Sequence, residues 1–182
     1  MRKLRLLFAL LICGLLFGCS PGVKTIAPPP YPPPSTPSQT GIVTGKIMLQ
    51  GRMTYEGVGV TLGELEPATT EPDGAYTILD VPPGQHAIRA MREGYLSAEG
   101  NVTIAAEGET KAMPTVVLPA GDLNGDETID LFDLVLISST FGTQDTAGLR
   151  ADLNGDGSVD LFDLVLVGNN LYQTGPVAFE SP

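Results

Sequence analysis

Oxygen-bearing side chains on alternate residues are the first feature of this chain that could do chemistry. In "DLNGDETIDLFD" they stand at Asp122, Asn124, Asp126, Asp130 and Asp133, with Thr128 placed to offer its backbone carbonyl. The pattern returns thirty residues later at Asp152, Asn154, Asp156, Ser158, Asp160 and Asp163, and from Asp122 to Ile137 twelve of sixteen positions recur unchanged. A hard cation takes six to eight oxygens at about 2.3 to 2.6 Å, and acidic side chains on alternate residues of a tight loop can converge to supply them. Neither loop holds His or Cys, which excludes soft or tetrahedral metal sites. Two calcium sites follow as the expectation, with magnesium a weaker competitor because the ligands are crowded and geometrically loose.

Numbered from its first Asp, each loop follows the EF-hand calcium pattern at positions 1, 3, 5, 7, 9 and 12. It departs from that pattern twice. Position 12 is Asp133 or Asp163, a shorter arm than glutamate, which must bring the following helix nearer the ion. Position 6 is Gly157 in the second copy but Glu127 in the first. If the turn needs a left-handed residue there, strain of roughly 1 to 2 kcal/mol makes the first site the weaker one.

Pro119, Ala120 and Gly121 abut the first loop, so each copy is a loop followed by one helix. Two full-length copies of this unit resemble the type I dockerin domain, over about Ala120 to Gln173. The resemblance implies calcium binding, attachment to a cohesin-type protein partner and a setting in polysaccharide degradation. It also implies that positions 10 and 11, here Leu131, Phe132, Leu161 and Phe162, select the partner. Gly121 to Gly175 carries ten acidic residues and one basic, so calcium binding and folding are expected to be one process.

The helices after the loops are more apolar than a two-helix core requires. At roughly 100° per residue, Leu134, Ile137 and Phe141 share a face, as do Leu164, Val167 and Leu171, which predicts the seam between the copies. Ile129 and Val159 bridge the loops. Left over are Leu131, Phe132, Val135 and Leu136 and their counterparts Leu161, Phe162, Val165 and Leu166, a second apolar face with little to cover it. Two occupants stay open: a partner protein, or the chain's own preceding β-rich segment.

That segment, Gly41 to Pro119, consists of short β-type runs broken by turn signals such as "PDG" and "VPPG", the layout of an all-β sandwich. Alternation puts Tyr76 with Ile78, Ile88 with Ala90 and Val102 with Ile104 on one face of each strand. "GKIMLQG", "GVGVTL", "TEPDGAYTILDVPPGQHAIRAMREGY" and the closing "VVLP" resemble the carboxypeptidase-regulatory-like, or transthyretin-like (prealbumin), sandwich, a structural or adhesive module related to starch-binding domains that does not imply peptidase activity. Carbohydrate binding by this sandwich is the rival function. Tyr55, Tyr76 and Tyr95 could stack on sugars and Glu64 with Glu66 could act as a carboxylate pair, but core packing and a solvated strand edge account for them equally well. His86 is the chain's single histidine, no catalytic cluster surrounds it in sequence, and the chain is not expected to be an enzyme.

The amino terminus sets the compartment. Arg2, Lys3 and Arg5 precede the thirteen-residue apolar run "LLFALLICGLLFG", which is shorter than the roughly 20 residues a membrane-spanning helix needs. The exit "LFGC" resembles the lipobox of bacterial lipoproteins, which implies cleavage before Cys19, lipidation of its thiol and an extracytoplasmic chain held to the cell envelope through its acyl chains. Cleavage leaves seven basic against twenty-one acidic residues, a poor match for nucleic acid. "APPPYPPPSTPSQT" is half proline and predicts an extended spacer on the order of 40 Å. The expected order is a signal peptide at 1–18, lipidated Cys19 and linker at 19–40, the sandwich at 41–119, an all-α calcium-loop–helix pair at 120–175 and a tail at 176–182.

Overall fold

A computed structural model describes residues 40–144 and 150–179. The signal segment, Cys19 and the proline-rich stretch lie outside the described residues.

Among the described residues, eight strands precede the helices. They are β1 (Gly41–Leu49), β2 (Gly59–Leu62), β3 (Ala68–Thr69), β4 (Ala75–Val81), β5 (Gly84–Met91), β6 (Ala98–Ile104), β7 (Thr110–Ala112) and β8 (Val116–Leu118). In one sheet β1 is central, antiparallel to β4 on one side and parallel to β7 and then β8 on the other. The second runs β3-β2-β5-β6 and ends on a short strand, β9 (Val177–Ala178). Alternate side chains of both sheets meet in one core: Val43, Ile47, Tyr76 and Ile78 from the first, Val60, Leu62, Ile88, Ala90, Val102 and Ile104 from the second. The three expected alternating pairs are all buried, and the ring of Tyr76 lies over Gly45, its cross-strand partner. Gly74, in the "PDG" turn, has φ +86° and sits against the Ile47 carbonyl where a side chain would clash.

After β8 come α1 (Leu131–Thr140) and α2 (Leu161–Asn169). Asp130 and Asp160 cap them, and Asp133 and Asp163 return the bond to the cap backbone, a reciprocal pair that starts each helix at the end of its loop. Ile137 and Val167 are wholly buried and form the centre of the seam. Phe141 does not join them and is 51% exposed, because α1 stops at Thr140 and Phe141 leaves the helix with ψ 133°. Ile129 and Val159 are fully buried and each pairs with the chain that leaves the other copy's helix: Tyr172 and Gln173 bond to Ile129, Gly142 and Thr143 to Val159.

The helical unit is not all-α. Bridges Thr128↔Thr174 and Gln144↔Ser158 tie loops to helix exits, and β9, within the segment expected to be a tail, runs parallel to β6 and extends the second sheet. A two-residue strand carries too little pattern to be seen in sequence.

Candidate metal centre

Each loop is wound around its own carboxylates. In the first, Asp122 Oδ1 accepts from the N–H groups of Gly125 (2.8 Å) and Asp126 (3.1 Å), and Oδ2 from Glu127 (3.0 Å). Asn124 Oδ1 accepts from the Asp126 N–H and Asp126 Oδ1 from the Thr128 N–H, which sets the alternate-residue turn. Asp133 closes the loop, with Oδ1 accepting from the Leu123 and Asn124 amides and Oδ2 from the Asp130 amide. The second loop repeats this: Asp152 accepts from Gly155 and Gly157, Asn154 from Asp156, Asp156 from Ser158, and Asp163 from Leu153, Asn154 and Asp160. Asp130 and Asp160 each cap the N–H two residues on.

Asp122, Asp133, Asp152 and Asp163 are 4%, 0%, 7% and 0% exposed, and none of the ion pairs among the described residues involves them. A buried carboxylate without a cation is electrostatically costly even when amides solvate it. Burial accordingly pushes the Asp122 carboxyl above the usual carboxylate range, and the nearby Asp133 charge adds to the rise against the pull of the loop amides. An all-oxygen set with one buried acid at each end of the loop fits a hard cation. The expected convergence is only partial, however. Among the described residues no three His, Cys, Asp or Glu side chains are gathered closely enough to hold a metal ion. The middle ligands Asn124 and Asp126 are exposed and bonded to each other through Asn124 Nδ2, and half-buried Asn154 bonds exposed Asp156 in the same way.

The position-6 residues differ as the sequence requires. Gly157 has φ +89°, and Glu127 takes the same left-handed turn with φ +63°. Its carboxylate leaves the loop: Oε1 accepts from Arg89 Nη2 at 2.8 Å and Ser97 Oγ at 2.6 Å, and Oε2 from the Ser97 N–H at 3.0 Å. Ser97 is buried immediately before β6 and Arg89 lies on β5. The second loop is gripped differently, by side chains that come to it. Arg52 donates from Nε to the Leu153 carbonyl at 3.0 Å and from Nη2 to the Asp152 carbonyl at 2.8 Å, and the Tyr95 hydroxyl donates to the same Leu153 carbonyl. Between the loops, Gln50 Oε1 accepts from the Ala120 N–H and from Asn170 Nδ2, which also bonds the Ala120 carbonyl. The helical unit therefore does pack on the sheets, through its loops and the C-terminal part of α2.

The second apolar face is left largely open. Leu131, Phe132, Val135 and Leu136 are 60%, 70%, 66% and 41% exposed, and Leu161, Phe162 and Val165 are 61%, 69% and 48% exposed. Leu166 is the exception: it is half-buried, with Gly51 of the sheet region lying directly on its side chain. Docking of this face on the preceding β-rich segment was one of the two expected alternatives, and it is met at Leu166 alone, by a glycine more than a hundred residues away. Of the residues considered for chemistry on the sheets, Tyr76 and Tyr95 are buried, so no tyrosine platform forms, and His86 Nε2 is bonded to the Pro82 carbonyl at 2.8 Å.

Residues 120–172 match the family model of the dockerin type I domain. No curated protein matches the chain. Two solved structures of mutants of a type II cohesin–X–dockerin complex from Acetivibrio cellulolyticus, one altered at a C-terminal and one at an N-terminal interface, contain a similar chain. The first aligns at 25% identity over 74% of this chain and 97% of that one, with a TM-score of 0.64. The second aligns at 24% over 74% and 97%, with a TM-score of 0.63. Such coverage exceeds the dockerin segment and takes in the sheets as well. The comparisons thus place a dockerin type I domain at residues 120–172, within a fold whose sheets and helical unit together resemble a chain of a cohesin–X–dockerin complex.

Proposed function

We propose that this chain is a non-catalytic attachment protein, lipidated at Cys19, whose two loops each hold calcium and whose open helix face binds a cohesin-type partner. One observation carries the reading. With the helical unit already docked on the sheets, seven large apolar side chains of α1 and α2 remain exposed, and Phe132 and Phe162 are 70% and 69% uncovered at equivalent positions of the two copies. Contiguous apolar surface of this kind on an otherwise acidic chain marks a protein partner. The family match and the cohesin–X–dockerin likeness supply the partner class. Type I follows from the loop sequence and type II from the neighbours' complexes, so both cohesin types belong in the test.

In the calcium reading, Asp122, Asn124, Asp126, the Thr128 carbonyl, Asp130 and Asp133 hold one ion, and Asp152, Asn154, Asp156, the Ser158 carbonyl, Asp160 and Asp163 the other. The middle ligands would swing off one another to do so. Immobilised type I and type II cohesin modules are expected to capture the chain with calcium and release it with chelator, and Phe132→Asp with Phe162→Asp is expected to abolish capture. Retention by the double variant would refute the assigned face. The anchor has its own check: Cys19→Ala is expected to move the protein from the membrane fraction to the soluble one. Carbohydrate binding by the sheets is the weaker reading, because two of the three tyrosines that could have stacked on sugar, Tyr76 and Tyr95, are buried.

A further inference from the structure

We infer that Glu127 is a latch that makes the sheets part of the first calcium site: it occupies the loop's left-handed turn and ties that turn to β5 and β6 through Arg89 and Ser97. The inference rests on the calcium reading of the first loop and adds a function for the residue that most weakens it.

Three observations lead there. Glutamate at φ +63° is strained where glycine in the sister loop is not, so the side chain must return something glycine cannot. The carboxylate is used up on the sheets, with three donors within 3.0 Å: the Arg89 guanidinium, the Ser97 hydroxyl and the Ser97 amide. The backbone of the same residue is bound on both sides, its N–H to Asp122 Oδ2 at 3.0 Å and its carbonyl by the Gly175 N–H at 2.8 Å, two residues ahead of β9. Glu127 therefore stands between a first-position calcium ligand and the edge of the second sheet. A carboxylate held at both oxygens fixes the turn that orients the Asp122 ligand, and an ordered turn at that ligand in turn fixes the carboxylate. Coupling of this kind is reciprocal. Calcium in the first loop stabilises docking of the helical unit on the sheets, and docking tightens calcium in that loop. Glu127, Arg89 and Ser97 are positioning residues for the metal.

The signs separate this from plain electrostatics. Removing the Arg89 charge takes a cation from the neighbourhood of the site, which by Coulomb attraction alone strengthens calcium binding. The latch predicts the opposite. In the full chain, isothermal titration with calcium of Arg89→Gln and of the charge-neutral Ser97→Ala is expected to show the first site weakened about five-fold in each, the lower end of ordinary coupling between sites, with the second site unchanged. Hydrogen exchange at the Ser97 amide is expected to slow on adding calcium to the parent and to lose that response in Glu127→Gln. An Asp122→Ala variant identifies the first site in the titration. If the parent titrates identically with and without Asp122→Ala, the first loop holds no calcium and both readings fall. If the parent binds there but Ser97→Ala is silent and Arg89→Gln binds more tightly, the calcium reading stands and the latch is overturned.

Discussion

Asp122 and Asp133 face away from solvent at the two ends of the first loop, and this gives each a testable consequence. The Asp122 carboxyl titrates above its ordinary range because burial and the Asp133 charge disfavour its ionised form. A carboxyl that holds its proton more tightly folded than unfolded stabilises the fold only when protonated. Its contribution is complete below the unfolded value and is lost as pH rises through the raised one, so in the absence of metal it opposes folding at neutral pH. Calcium takes the ionised form, so proton and metal compete. Calcium affinity of the first loop is expected to fall as pH drops into the raised range of the Asp122 carboxyl, with measurable proton release, read by titration calorimetry in two buffers of different ionisation enthalpy. Proton-free binding across that range would contradict it. Asp133 is fully buried and is the acceptor for three loop amides, from Leu123, Asn124 and Asp130. Asp133→Ala orphans all three and is expected to destabilise the loaded helical unit by on the order of 3 kcal/mol in urea, since each unmet buried donor costs about 1 to 3 kcal/mol.

The helices separate residues that look alike in sequence. Ile137 and Val167 are wholly buried at the seam, whereas Phe132 and Val135 on the same α1 are 70% and 66% exposed. Ile137→Ala is expected to cost about 2 to 4 kcal/mol through a cavity, and Phe132→Ala within about 0.5 kcal/mol. Urea melts of the calcium-loaded protein decide, and a large loss in Phe132→Ala would show that the face is core. The same elements show what could be read in advance. Tyr76 with Ile78 and Val102 with Ile104 were legible because a strand buries every second residue, and the dockerin segment because its two copies recur thirty residues apart. Phe141 was misplaced because helical periodicity says nothing about where a helix stops, and α1 ends one residue before it. β7, three exposed residues, and β9, two residues, leave no alternating signal at all.

At the scale of the whole molecule, the contacts that orient the two parts were not placed by sequence because they are single and distant, whether polar or, as where Leu166 meets Gly51, apolar. Arg52 and Leu153 are 101 positions apart, Gln50 and Asn170 120. Glu127 stood out in sequence as a departure from glycine in the loop, and its place at the junction came only from the structure. Yet these contacts decide how the chain responds to losing metal. Ten acids and one base between Gly121 and Gly175 repel one another, and the sheets answer with Arg52 on the second loop and Arg89 on the first. One buried apolar cluster takes in both parts, and its sheet members Val43, Ile47, Val60, Ile88 and Val102 sit on strands paired to other strands rather than to the loops. Chelation is therefore expected to remove the helical circular dichroism while amide protection persists at those core positions. Arg52→Ala is expected to raise the calcium concentration at which helix returns, by withdrawing the donors to the Asp152 and Leu153 carbonyls. Because the opposition to folding is charge repulsion over exposed loops, added sodium chloride is expected to restore part of the helical signal in chelator, as screening shortens its reach to about 3 Å near 1 M. Helix content unchanged by chelator would remove the coupling of metal to fold, and loss of protection throughout the sheets would show that the two parts fold as one.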